Sequence, residues 1–439
     1  MPVMNRRNAL LTTLFGAGMV GLRALASGLP VSFLLNPRRA LADSPAPSCD
    51  APEKAQFVIF ATSGQGDPIN ANAPGAYDDP NITHPADPSM APATLTLGGT
   101  PYTAAAPWAA LPQDVLDRTA FFHLMTDTPV HPKEPDVLKL MGSTTAGEML
   151  PSMLAKALAP CLGTLQTEPI CLGATTPSEA LSFGGTALPI IPARALQATL
   201  TTPAGPLADL QALRDQTLDQ IYDLYRSEAS PAQRAYIDSL VTSQTQIRNL
   251  NQDLLSALTS ITDNGAASQV LAAVTLIQMK VTPVISVHLP FGGDNHRDVG
   301  LANEAAQTVA SLATIADLMQ KLAAAGLSDQ VTLASLNVFG RTLGPSNTDG
   351  RQHNPNHQVS FAIGKPFRGS VIGGVVPVQN DYGALPIDSK TGSGSAGGDI
   401  AEVDTLASYG RTLLAAVGVS PATIQNQITT GTVIAAALA

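Results

Sequence analysis

Five residues in this chain combine metal-ligating chemistry with suggestive placement. Asp67 closes the series Ser63-Gly64-Gln65-Gly66-Asp67, which follows a short apolar run. Asp294 and His296 lie in Phe291-Gly292-Gly293-Asp294-Asn295-His296, again just after an apolar run. His353 and His357 share one polar loop, and Pro355 between them argues against a continuous helical turn. Carboxylate oxygen and imidazole nitrogen are the donors that zinc or manganese takes, and carboxylates also admit calcium. Ordinary explanations stand beside this one. Loop histidines are commonly just solvated, an Asp after Gly is a frequent turn residue, and Asp-x-His is a short pattern. His288 is expected to face the core, while His84, His123 and His131 belong to no pattern. Thr62, Ser63, Thr126 and Thr128 fall near predicted strand ends, but no activating base accompanies them, so no nucleophile is assigned.

What unites the five is their position relative to the predicted elements. Strands are expected at Gln56–Ala61, Thr119–Met125, Val281–Leu289, Val331–Leu336, Val359–Ile363 and Val371–Val376. Helices are expected at Thr145–Leu158, Ala267–Lys280, Ala302–Ala325 and Asp404–Ala416. Strands alternating with helices of this length imply an α/β fold with a doubly wound, mainly parallel sheet. Ligands in such sheets bind beyond the carboxyl ends of the strands. Asp67, Asp294 and His296 fall at that edge, within reach of the loop histidines, and Asn337 and Arg341 follow the 331–336 strand there. A helical hairpin is expected as an insert at about 205–262. Leu207, Leu210, Leu213, Leu218, Ile221 and Leu224 form its first apolar face, and Ser230-Pro231-Ala232-Gln233 caps its second helix. Residues 56–439 thus read as one α/β domain, with a flexible loop at 389–399.

The amino terminus reads as a twin-arginine signal peptide covering residues 1–42. Arg6-Arg7 precede an apolar stretch that Arg23 interrupts, and Ala40-Leu41-Ala42 is a small-x-small cleavage signature, placing the cut between Ala42 and Asp43. The interruption argues against a retained membrane anchor, because a spanning helix needs about 20 consecutive apolar residues. The expected partner is the twin-arginine translocase, and the expected location periplasmic or secreted. Residues 43–55 form a flexible, proline-rich leader. The whole chain carries a net charge of −10; the signal holds five arginines and no acid, so the remainder stands at −15. An acidic chain without a Lys/Arg cluster is a poor partner for nucleic acid, which needs clustered cations against phosphate. Of three cysteines, Cys161 and Cys171 are the plausible disulfide pair in an oxidising compartment, with Cys49 left over in the leader. Two buried thiols are the equal alternative.

Gly64-Gln65-Gly66-Asp67, Gly292-Gly293-Asp294-Asn295-His296, Asn337-Val338-Phe339-Gly340-Arg341 and Gln352-His353 ahead of Arg368-Gly369-Ser370-Val371-Ile372-Gly373 occur in this order along the chain. Their order and spacing resemble a twin-arginine-exported bacterial family of unknown function that groups with the alkaline phosphatase and sulfatase superfamily. The resemblance implies an alkaline-phosphatase-like sheet and metal-assisted cleavage of phosphate or sulfate esters. It implies Asp67, Asp294, His296 and one or both of His353 and His357 as ligands. The chain departs from the family at Val338, where a Glu is usual, at Gln352, where an acid is usual, and before Asp294, where a Trp is missing. Those departures open a second expectation, a non-catalytic envelope protein with a degenerate metal site.

Overall fold

The computed structural model describes Cys49 and residues 51–67, 69–164, 166–173, 179–200, 211–228, 234, 258–291, 293–344 and 349–439. The signal segment, most of the leader and the second half of the expected helical hairpin lie outside the described residues.

Seven strands make the central sheet: β1 (Phe57–Ser63), β2 (Thr119–Leu124), β3 (Ile170–Cys171), β4 (Val284–Val287), β5 (Val331–Asn337), β6 (Gln358–Ile363) and β7 (Ser370–Ile372). Their spatial order is β7-β2-β6-β5-β1-β4-β3. β1 pairs in parallel with β4 and β5, β4 with β3, and β2 with β7. Only β6 runs against its neighbours β2 and β5. The central strands are buried on both faces, which is why they read as unbroken apolar runs. Phe57, Ile59 and Ala61 of β1 pack on one face with helices α3 (Ala266–Gln278) and α4 (Ala302–Ala324). Val58 and Phe60 pack on the other with α1 (Leu150–Leu162) and α5 (Thr405–Ala416). Each fully buried side chain of this kind contributes about 1.5–3 kcal/mol. Helices on both faces give the doubly wound α/β architecture. Helix α2 (Gln211–Glu228) lies within the stretch expected as a helical insert, with Leu224 and Tyr225 exposed.

Proline and glycine account for most differences between expected and observed boundaries. α1 begins at Leu150 rather than Thr145, because Pro151 sets its first turn and Ala146 before it is left-handed; Gly163, also left-handed, ends it. β4 is shorter than expected because Pro283, which has no N–H to give a ladder, precedes it. The run expected at 371–376 breaks at Gly373, whose φ is +80°. Its first part joins the main sheet as β7, and Val375–Val378 turns away to form a hairpin with Asp381–Ala384.

Two further expectations are corrected. The disulfide joins Cys49 to Cys161, and Cys171 is the free, buried thiol. Cys171 lies on the edge strand β3 with its side chain in the core, where its Sγ reaches the Gly173 carbonyl at 3.6 Å. Cys161 sits instead at the end of α1, where the leader passes, so the leader is fastened rather than loose there. The 389–399 segment is likewise folded back on itself: Asp399 accepts from the Ser389 N–H and hydroxyl at 2.7 and 2.8 Å, and Gly373 donates to Gly392 at 2.8 Å. A small hairpin (Pro92–Leu97 with Thr100–Ala105) occupies part of the stretch between β1 and β2.

Candidate metal centre

The carboxyl ends of β1, β2, β4 and β5 open on one edge of the sheet, and antiparallel β6 enters from that same edge. Four side chains converge there: His131, Asp294, His296 and His353. One ligand atom from each lies within 4.8 Å of all the others. The Nε2 atoms of His296 and His353 are 2.8 Å apart, and Asp294 Oδ1 is 3.4 Å from His296 Nε2. Ligand atoms about 2.0–2.2 Å from a common ion necessarily sit within such distances of one another.

Three connections deliver the four donors. Asp294 and His296 come from the loop after β4. His353 pairs with Arg341 in a two-residue antiparallel bridge, Gly340–Arg341 against His353–Asn354, so the segment after β5 sets its place. His131 begins a 3-10 turn after β2 (His131–Lys133), started by Pro132 and continuing into the short helix Glu134–Leu138. The ring of Phe339 forms the floor, 4.9 Å from the His131 ring and 4.2 Å from that of His353, centroid to centroid.

The hydrogen bonds fix which nitrogens are available. A carbonyl can only accept, so His131 Nδ1 donates to Gly64 O at 2.9 Å and His353 Nδ1 donates to Pro129 O at 2.5 Å. The protons therefore sit on Nδ1, and Nε2 of each ring keeps its lone pair, the arrangement in which ligating histidines are held by an outer acceptor. Burial, helped by the nearby Arg341, His131 and His296 charges, outweighs the Pro129 hydrogen bond and drives the His353 pKa down to about 4, so the ring is neutral near pH 7. Partial burial acts to raise the Asp294 pKa, but Arg341, His296 and His131 outweigh it and hold the carboxyl below its usual range. Arg341 is itself fully buried, donating to Asp294 Oδ1 at 3.2 Å and to the Gln65 carbonyl. Its guanidinium balances the one carboxylate of the set. A divalent ion held there would carry its full charge uncompensated, which favours an anionic ligand.

The Gly64–Gly66 turn frames the site: its carbonyls hold His131 and Arg341. Gly66 is obligatory, because its φ is +95° and a Cβ there would lie 2.5 Å from Phe339 Cε2 and 2.8 Å from Arg341 Nε.

Of the five residues singled out in the sequence, the structure brings together Asp294, His296 and His353 and sets two apart. Asp67 is fully buried below the cluster. Its carboxylate accepts from Ile69 N at 2.8 Å and Val359 N at 3.2 Å, and Asn337 lies against it. These bonds occupy it as a brace between β1 and β6, and burial pushes its pKa up to about 8. His357 is also buried and pairs with His123, Nε2 to Nδ1 at 2.9 Å, so it faces away from the set. His131 completes the cluster instead. Pro132, the helix start that aims its ring, was its only sequence signal. Val338 lies in the apolar core, and the contribution of its segment comes instead through Phe339 and Arg341. His288, expected in the core, is partly exposed and bonded to buried Glu179.

No protein-family model matches the chain, and no curated protein matches it significantly.

Proposed function

We propose that this chain is an exported, metal-dependent hydrolase of phosphate or sulfate esters on an alkaline-phosphatase-like sheet. The observation carrying this reading is the convergence of three imidazoles and one carboxylate at the carboxyl edge of the sheet, with the Nδ1 protons of His131 and His353 already engaged. Three nitrogen donors suit zinc or manganese better than calcium, which takes oxygen. An ion bound there supplies a Lewis acid for an ester oxygen and acidifies water. The protein residues do the rest. His131, His296, His353 and Asp294 hold the ion, Arg341 fixes and neutralises Asp294, and Phe339 keeps the rings apart from bulk water on one side. Asp294 and His296 keep side-chain exposures of 46% and 36%, leaving an approach for substrate. Export by the twin-arginine route, and a periplasmic or secreted location, are part of the same proposal. The Cys49–Cys161 disulfide supports an oxidising compartment.

The test is turnover of aryl phosphate and aryl sulfate esters by the mature protein loaded with zinc or manganese. Activity that chelation removes, and that Asp294→Ala lowers at least ~100-fold, supports the reading. A loaded protein without turnover overturns it in favour of a non-catalytic binder. Burial of Val338, at the position where the resembled family carries a Glu, favours that second reading.

A further inference from the structure

We infer that Glu179 is a positioning residue for the metal centre, acting on His131 through the main chain of Gly64. The inference rests on the metal-binding reading of the cluster. Gly64 is gripped from both sides of its Cα. Its N–H donates to Glu179 Oε1 at 2.9 Å, and its carbonyl accepts from His131 Nδ1 at 2.9 Å. Between Ser63 and Gln65, and one residue before left-handed Gly66, Gly64 has no side chain to hold its orientation. The grip on its N–H holds one of the two peptide planes that meet at its Cα, and Gln65 N–H, donating to Ser63 Oγ at 3.3 Å, holds the other. Together they set where the Gly64 carbonyl points, and the carbonyl decides which nitrogen of His131 carries the proton.

Glu179 suits this task. It is fully buried, 115 residues away in sequence, and anchored at its other oxygen by His288 Nδ1 at 3.2 Å. A hydrogen bond to a buried carboxylate is about twice as strong as one between neutral groups. A second buried acid, Glu134, lies three residues after His131 and is electrostatically coupled to Glu179. Burial, with Glu179 nearby, holds the Glu134 carboxyl well above its usual range against a main-chain hydrogen bond from Ser63. Glu179 has a partner at each of its oxygens, Gly64 N–H at one and His288 Nδ1 at the other. Glu179 thus links β1, through Gly64, to the loop after β4, through His288, and stands behind His131, which comes from the connection after β2.

The experiment combines nitrogen-15 spectra of the histidine rings in metal-free protein with zinc titration, for wild type, Glu179→Gln and Glu179→Ala. Wild-type His131 is expected as a single Nδ1–H tautomer. In Glu179→Ala that signature becomes a mixture, while His353, held by Pro129, is unmoved, and zinc affinity falls about 10–100-fold. Glu179→Gln keeps a neutral acceptor for Gly64 and is expected near fivefold, about the loss of charge assistance; it serves where the alanine variant does not fold. Unchanged His131 tautomer and zinc affinity in the folded variants overturn the inference. If wild type binds no zinc, the metal reading falls, and the His131 tautomer in the variants still decides the role of Glu179.

Discussion

Two histidine pairs in this protein have nearly the same geometry and opposite surroundings. His296 and His353 meet at 2.8 Å at the rim of the sheet, beside a carboxylate and a guanidinium, with solvent in reach. His123 and His357 meet at 2.9 Å with no exposure at all. In the buried pair, His123 Nε2 donates to the Pro74 carbonyl at 3.0 Å, so its Nδ1 must accept from His357, and His357 Nδ1 is left without a partner. Burial drives the His123 pKa to about 4 and that of His357 well below its usual value. The difference teaches that short imidazole contacts do not define a metal site. A cation needs several converging donors and a path from water, and of the two pairs only the one at the rim has a carboxylate and a third imidazole beside it and solvent in reach. The buried pair joins β2 to the start of β6.

The comparison breaks most visibly at the rim. His353→Ala or His296→Ala is expected to weaken zinc binding more than ~100-fold in isothermal titration, because one of four ligands is lost. Stability without metal should change little. A variant with wild-type affinity would remove the rim pair from the site.

The mirror experiment is His357→Leu. It leaves His123 Nδ1 buried without its donor, at an expected cost of about 2–3 kcal/mol in urea denaturation. Zinc stoichiometry should stay as in wild type; a loss of zinc would place the buried pair in the centre after all.

Asp67 sharpens the contrast, because it looks like a ligand in sequence. Its folded pKa of about 8 lies above the ordinary carboxylate value of 3.8. The stability it lends as a neutral group is complete below pH ~4 and is lost as pH rises towards 8. Asp67→Asn cannot ionise, so its stability relative to wild type should climb between pH 4 and 8 and then level off, with zinc affinity within about threefold of wild type, since no donor is lost. A pH-independent difference would contradict the burial argument. The smallest effect is expected from Cys171→Ser. Intact-mass analysis should still find the Cys49–Cys161 bond, and zinc affinity should not move; a lost disulfide would restore the pairing expected from sequence.

How much of this was legible follows from which physics each feature depends on. The strands and the doubly wound sheet were legible because strands buried on both faces must be apolar throughout, and Pro283 and Gly373 explain where two of them stop or turn. Asp294, His296 and His353 were legible as polar residues beyond strand ends. His131 was not, since its role depends on a carbonyl 67 residues away in sequence, that of Gly64. Asp67 and His357 were misplaced for the converse reason. Both follow or precede strands at the right edge, yet their side chains turn into the interior, a choice settled by packing rather than by spacing. The disulfide was not legible because the leader that carries Cys49 reads as loose, which left Cys161 and Cys171 as either a pair or two buried thiols, whereas the edge strand buries Cys171 in the core and Cys49 reaches Cys161.

The most direct test is an anomalous diffraction measurement at the zinc edge on crystals of the mature protein soaked in zinc. One strong peak is expected within about 2.0–2.2 Å of His131 Nε2, His296 Nε2, His353 Nε2 and an Asp294 oxygen. No peak at that edge of the sheet, or a peak held by Asp67 or His357 instead, would contradict the assignment of the centre.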